Sequence, residues 1–164
     1  MEISVRLGKI DDADAALSIY ERSNLARRHG QWPSRTSRLA QVSANIRDDA
    51  SWFLVAHDDN EAVAMALVLP FRTERGAGRI VPKTSFLDLI YVLPERWGEG
   101  IGGMVLDAVI DEAGRRGSPR IYLWTHEHDN ERAHRLYLGR GFRRTSVTGQ
   151  DDAGGPVAEW VRDG

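Results

Sequence analysis

The sequence predicts an α/β protein of the α+β kind, with about four helices on the faces of one mixed, mostly antiparallel sheet of about seven strands. Three observations carry that prediction. First, Phe86 to Leu93 (FLDLIYVL) is nearly all apolar and reads as a strand covered on both faces. Pro94 ends it, the glycines Gly98, Gly100, Gly102 and Gly103 follow, and Met104, Val105, Leu106, Ala108, Val109, Ile110 and Ala113 then recur at helical spacing. Second, Ile121 to Thr125 (IYLWT) is another buried strand, parallel to the first because a helix joins them. Third, two antiparallel hairpins flank this unit. Trp52 to His57 turns at Asp58-Asp59-Asn60 into Ala62 to Phe71, and Phe142 to Thr148 returns through the glycine-rich turn Asp151 to Gly155 as Pro156 to Val161.

The remaining elements follow in order. Glu2 to Leu7 alternates, with Ile3, Val5 and Leu7 on one side, and reads as a first strand. Asp11 and Asp12 offer an N-cap for a helix carrying Ala15, Ala16, Leu17, Ile19 and Tyr20 toward Leu25. The pattern breaks from Arg27 to Arg38, where Trp32 is either a local packing anchor or a pocket-lining side chain. Leu39 to Ile46 resumes a short helix. Pro70, late in its strand, argues for an edge, a bulge or the strand's end. Thr73 to Lys83 reads as a mobile connection to the central strand. Arg115-Arg116-Gly117 makes a cationic, glycine-terminated helix end. Asp129 or Asn130 caps the next helix, which stops at Gly139 to Gly141.

Composition bounds the function. At 164 residues the chain is read as a single domain, 1–164, and 41% apolar with 28% charged residues is the profile of a folded globular protein. A net charge of -2 gives no basic field for nucleic acid. The absence of Cys excludes disulfides, thiolate metal sites and a cysteine nucleophile. No apolar run reaches the roughly 18 residues of a membrane span, and the N-terminus lacks a signal-peptide pattern. The expectation is a cytoplasmic protein with no membrane or nucleic-acid partner.

The glycine loop points to a phosphate-bearing ligand. Free backbone N–H groups at a helix N-terminus, reinforced by the helix dipole, bind anions, and glycines there accept positive φ and let the ligand approach. A kinase-like P-loop needs a lysine that is missing here. A dinucleotide fingerprint fits only if Gly103 is its third glycine, and the next strand ends near His126 without the acidic residue that holds a ribose.

Two motifs carry a resemblance. The strand LDLIYVLPE runs into Trp97-Gly98-Glu99-Gly100-Ile101-Gly102, similar to [Q/R]-x-x-G-x-[G/A]. The later segment Asn130 to Phe142 matches N-x-x-A-x-x-x-Y-x-x-x-G-F at Asn130, Ala133, Tyr137, Gly141 and Phe142. Together with the element order they resemble the GNAT superfamily, the acyl-CoA-dependent N-acyltransferases. Trp97 stands where the family usually has Gln or Arg, which is expected to matter little, and Glu99 brings a negative charge that is expected to face solvent.

The resemblance implies that the sheet splays at its parallel central pair and that acetyl-CoA is the cosubstrate. The loop Trp97, Gly98, Gly100, Ile101, Gly102 and Gly103 would hold its pyrophosphate. The pantetheine arm would pair with backbone at Ile90, Tyr91 and Val92, one of whose N–H groups would also steady the thioester oxygen, and Asn130 would face the cofactor. The reaction implied is direct attack of a primary amine on the thioester in a ternary complex. Tyr137 is the expected acid for the leaving thiolate, since Asn130, Ala133, His134 and Tyr137 share one helical stripe. Asp88, the ionisable acid inside the apolar strand, is the expected base, with His126, Glu127 and ordered water as rivals. His126-x-His128 lacks a third ligand, so no metal is expected. The acceptor is expected to be a small-molecule amine. A protein or peptide acceptor, and a non-catalytic acyl-CoA-binding module, are the alternatives. Arg27, Arg28, Arg35 and Arg38 hint at an acceptor bearing carboxylate or phosphate. The closing strands of this fold often pair between subunits, which leaves a homodimer open.

Overall fold

The computed structural model describes residues 2–27, 36–151 and 154–164. Arg28, Trp32 and Arg35 of the expected loop lie outside the described residues. Seven strands and four α-helices are found among the described residues: β1 (Ile3–Leu7), α1 (Ala13–Arg27), α2 (Thr36–Ile46), β2 (Trp52–Asp58), β3 (Glu61–Arg72), β4 (Ile80–Val92), α3 (Ile101–Arg115), β5 (Arg120–His126), α4 (Glu131–Leu138), β6 (Arg143–Gln150) and β7 (Pro156–Arg162). The strands form one sheet in the order β1-β2-β3-β4-β5-β7-β6, and β4 and β5 are its parallel pair. The expected fold class is borne out.

The chain divides into two compact units, Met1–Leu69 with Leu89–Val109 and Pro70–Asp88 with Ile110–Gly164. In the first, β2 pairs antiparallel with β1 and β3, and Phe53 to Ala56 and Val63 to Val68 are buried. Helix α1 buries Ala13, Ala16, Ile19, Tyr20 and Ser23, a stripe at helical spacing. The helix begins one residue after its expected cap. Asp12 accepts the Lys9 N–H at 2.8 Å at the end of a 3-10 turn and also pairs with Arg6, whose hydrogen bond holds the Asp12 carboxyl well below its ordinary range.

In the second unit Thr84↔Arg120 through Leu87↔Leu123 set the parallel register, and β7 pairs antiparallel with both β5 and β6. Three expectations are corrected. Thr73 to Lys83 is built, not merely a connector: β3 runs through Pro70 to Arg72, β4 starts at Ile80, and Thr73 joins the two by accepting Gly78 N–H at 2.9 Å and donating to Arg79 O at 3.0 Å. The turn between them holds Glu74 and Arg75 at positive φ, and the Arg75 guanidinium lies 5.8 Å from the Trp124 ring centroid while donating to Thr148 O at 3.1 Å. Strand β4 is covered fully on only one face. Leu87 and Leu89 are buried, whereas Phe86, Asp88 and Ile90 are part-exposed. Helix α2 starts at Thr36, three residues before the apolar spacing made it visible.

Helix α3 ends as its sequence predicts. Gly117 takes φ +77, and the bonds Ser118 N–H to Ala113 O (2.9 Å) and Gly117 N–H to Gly114 O (3.1 Å) form a Schellman cap. Arg115 and Arg116 bind Glu112 at 2.6 and 3.0 Å; burial pushes that carboxyl up, but the two guanidinium bonds prevail and its net shift is downward.

Candidate active site

The expected cofactor segments, Ile90 to Val92 and Trp97 to Gly103, lie in the first unit. Gly98 and Gly100 take φ +86 and +82, with nothing within 4 Å of a Cβ built at either, so backbone conformation rather than crowding selects glycine. The first helical bond here is Met104 N–H to Gly100 O at 3.3 Å, so the N–H groups of Ile101, Gly102 and Gly103 have no acceptor in the preceding turn. Ile101 is 1% exposed and anchors this end of α3 in the core. A helix dipole and the amides of a first helical turn are the features that favour an anion at such a position.

Glu99 does not spoil it. Arg96 Nε binds both Glu99 oxygens at 3.1 and 3.0 Å, and its Nη2 donates to Asp58 Oδ2 at 2.9 Å in the β2–β3 hairpin. These bonds raise the Arg96 pKa above its ordinary value, first through Asp58 and then through Glu99. Glu99 is therefore paired rather than simply solvated, and Arg96 is a residue that sequence reasoning missed despite its i,i+3 spacing to Glu99. Arg96→Met is expected to raise the Kd for an anionic ligand of the loop about three- to tenfold, as an unneutralised carboxylate is left beside the cradle. Calorimetry checks it, and the added Glu99→Gln change is expected to restore affinity if the Glu99 charge is the cause.

Trp97 matters more than expected. Its ring is exposed, but its indole N–H donates to Val92 O at 2.8 Å, and Ser23 Oγ donates to the same carbonyl at 2.8 Å. The glycine loop and α1 are thus both tied to the end of β4. Tyr91 packs on Tyr20 of α1 at 5.5 Å between ring centroids, and Leu93 N–H donates to Val63 O at 2.9 Å. Ile90, Tyr91 and Val92 remain part-exposed.

Asp88, Asn130 and Tyr137 lie in the second unit. Asn130 occupies the N-cap position of α4 but makes no side-chain cap; its Nδ2 donates instead to Thr125 Oγ1 at 2.7 Å and to His126 O at 2.9 Å. His134 Nε2 donates to the same His126 carbonyl at 2.8 Å, and its ring stacks on Trp160 at 5.2 Å. Asn130 and His134, on the expected stripe, therefore fasten α4 to the end of β5.

Tyr137 is 6% exposed, with its ring against Phe142 (5.6 Å) and Trp160 (6.2 Å). Its motif has a mechanical explanation. Gly141 at φ +84 lets Phe142 N–H bond Tyr137 O at 3.1 Å and Gly141 N–H bond Leu138 O at 3.3 Å, the two bonds of a Schellman cap. The Phe142 ring then makes the hydrophobic contact that accompanies such a cap, so the G-F pair fixes the tyrosine.

Asp88 sits on β4 one residue past the last paired position, Leu87. Glu127 is clamped by Arg144 Nε at 2.9 Å and by Nη2, and these bonds hold its carboxyl below the ordinary range. His126 Nε2 faces Asp151 Oδ2 at 2.6 Å, a pairing with no local signature because 25 residues separate the partners. Among the described residues there is no cluster of three or more His, Cys, Asp or Glu that could hold a metal, and no helix long and apolar enough to cross a membrane.

A seven-stranded mixed sheet with a glycine-rich start to the helix after β4, and an Asn-to-Phe capped helix after β5, defines an acyltransferase fold. Residues 14–142 match the Acetyltransferase (GNAT) family, and the chain belongs to that family; it is an acetyltransferase. It is similar to the uncharacterized N-acetyltransferase YhfO of Bacillus subtilis, with 26% identity over 140 residues, 85% of this chain and 89% of that protein. Among solved structures, the ribosomal-protein-alanine N-acetyltransferase from Brucella melitensis has a TM-score of 0.74 at 23% identity, over 97% of this chain and 98% of that one. The PaiA N-acetyltransferase from Thermoplasma acidophilum, solved in complex with coenzyme A, has a TM-score of 0.67 at 18% identity, over 97% and 98% of the two chains. At these identities the structural likeness bears on fold alone.

Proposed function

We propose that this chain transfers the acetyl group of acetyl-CoA to the primary amine of a small molecule by direct attack in a ternary complex. The observation that carries the reading is the cradle at the start of α3, two positive-φ glycines with the free amides of Ile101 to Gly103, freed of competing charge by the Arg96–Glu99 pair. Such a cradle suits a pyrophosphate, and the PaiA relative is known with coenzyme A bound. Acetyl-CoA supplies the activated acyl group. The family reading gives its pyrophosphate to Trp97, Gly98, Gly100, Ile101, Gly102 and Gly103 and its pantetheine arm to Ile90, Tyr91 and Val92. Asn130 shapes the site through its hold on β5, and Tyr137 is the proton donor to sulfur. Asp88 is the carboxyl on β4 able to meet an incoming ammonium.

Affinity for the cosubstrate tests the reading without knowledge of the acceptor. At a hundredfold its Kd, acetyl-CoA or CoA is expected to raise the melting temperature by about 5 to 11 °C, while NADH and ATP leave it in place. A shift with NADH or ATP alone would assign the loop to another ligand. A peptidyl acceptor is the second reading, supported by the ribosomal-protein specificity of the Brucella neighbour. Turnover of an alanine-terminated peptide with none of spermidine or free amino acids would establish it.

A further inference from the structure

We infer that Trp97 is a positioning residue: through the Val92 carbonyl it holds the glycine loop at a set spacing from the end of β4, so that one ligand can engage both, an inference that rests on the acetyl-transfer reading. Every group involved lies in the first compact unit. Trp97 follows the turn Pro94–Arg96 and directly precedes Gly98, the first of the two positive-φ glycines. Its main-chain N–H closes that turn on Pro94 O at 3.2 Å, and its indole N–H reaches back to Val92 O at 2.8 Å. The ring is 46% exposed, so core packing does not account for a Trp here, whereas the indole bond does. An indole stands where the resembled family usually carries Gln or Arg, so the tie belongs to this sequence rather than to the motif.

The carbonyl it grips is the informative one. Leu93 N–H donates to Val63 O of β3 at 2.9 Å, and the C=O and N–H of a trans peptide point in opposite directions, so Val92 O faces away from β3. In an extended strand the N–H and C=O of one residue share a side, and those of the next residue take the other. The main-chain groups of Ile90 and Val92 therefore lie on the side of the Trp97 bond, and those of Tyr91 on the β3 side. Of the three residues given to the pantetheine arm, Ile90 and Val92 are the two whose backbone can pair with it. Trp97 thus anchors the loop to the same row of backbone groups that would receive the arm.

Three bonds divide the task. Leu93 N–H on β3 and Ser23 Oγ of α1, which donates to Val92 O at 2.8 Å, hold the end of the strand from two sides. Ser23 is 1% exposed, so its bond is shielded from water. The Trp97 bond joins the loop to the strand, while Arg96 fastens the loop to Asp58 of the β2–β3 hairpin at 2.9 Å. A ligand that spans two binding segments gains when their spacing is already set, because the second contact is then made at high effective concentration. A loop that has to be ordered during binding subtracts the cost of ordering it. The net contribution of one hydrogen bond scales that cost to about three- to tenfold in Kd. A ligand that touches the strand but not the loop is spared it.

Calorimetric titration with CoA and NMR titration with pantetheine, which lacks the nucleotide and its pyrophosphate, test the assignment. Trp97→Phe keeps an aromatic ring and removes the indole N–H. It is expected to raise the Kd for CoA about three- to tenfold and to leave that for pantetheine within about twofold. Ser23→Ala is the control, since it removes a bond to the same carbonyl without releasing the loop. Its melting temperature is expected to fall by about 2 to 4 °C, as in Trp97→Phe, with both Kd values within about twofold of wild type. In ligand-free protein the backbone 15N order parameters of Gly98 and Gly100 are expected to drop in Trp97→Phe and to hold in Ser23→Ala. An unchanged Kd for CoA in Trp97→Phe, an equal rise in Ser23→Ala, an equal loss of pantetheine and CoA in Trp97→Phe, or unchanged order parameters in that variant each overturns the role of Trp97 and leaves the acetyl-transfer reading standing. If wild-type protein does not bind CoA, the acetyl-transfer reading falls and the role of Trp97 with it.

Discussion

Tyr137→Phe is expected to lower kcat about 100-fold, about 2.7 kcal/mol of barrier at 1.36 per decade, with the Kd for acetyl-CoA nearly unchanged. A thiolate with a pKa near the 8.5 of a cysteine thiol departs faster, and does not re-add to the carbonyl, when a proton reaches it at neutral pH, and Tyr137 is the donor proposed. The variant removes one oxygen and keeps the ring that packs on Phe142 and Trp160, so its stability is expected to change by about 1 kcal/mol or less. A misplaced helix would also cost rate, so the leaving group supplies the discriminating measurement. p-Nitrophenyl acetate loses a nitrophenolate that needs no protonation, and its turnover is expected to suffer far less than that of acetyl-CoA. Equal losses with both donors would make Tyr137 a packing residue and leave the acid unassigned.

What could be read from the sequence was what short-range backbone rules control. The glycines before α3 and the Gly141-Phe142 pair after α4 each impose a turn whose conformation follows from the residues themselves, so both motifs survive into the structure as written. Side-chain pairs across the fold had no such signature. Arg96 meets Asp58 across 38 residues, Ser23 meets Val92 across 69, and His126 meets Asp151 across 25, and only the completed sheet brings them together. Asn130 shows why a local rule fails. Its position matches an N-cap, but Thr125 Oγ1 and His126 O compete for the side chain and win. The early part of β4 was missed for a related reason. Pro82 and Lys83, the latter at φ 60, carry no strand propensity, and the pairing with β5 that begins at Thr84 supplies what propensity lacks.

Gly100→Ala is expected to raise the Kd for acetyl-CoA roughly tenfold or more, with a smaller effect on kcat. At φ +82 a side chain carries about 1–3 kcal/mol of strain, and a loop that relaxes to relieve it moves its amides off the phosphates. Strain alone also destabilises, so the effect on binding must be separated from the effect on folding. Gly117 provides the control. It sits past the other end of α3 at φ +77, and like Gly100 it has nothing within 4 Å of an added Cβ. Gly117→Ala is therefore expected to lower stability by a comparable amount and leave the Kd for acetyl-CoA alone, because a helix C-terminus carries the wrong end of the dipole for phosphate. Calorimetric titration and thermal melting of the two variants give both quantities. Equal changes in Kd would mean that general destabilisation weakens the ligand, and an unchanged Kd in Gly100→Ala would remove the pyrophosphate from this loop.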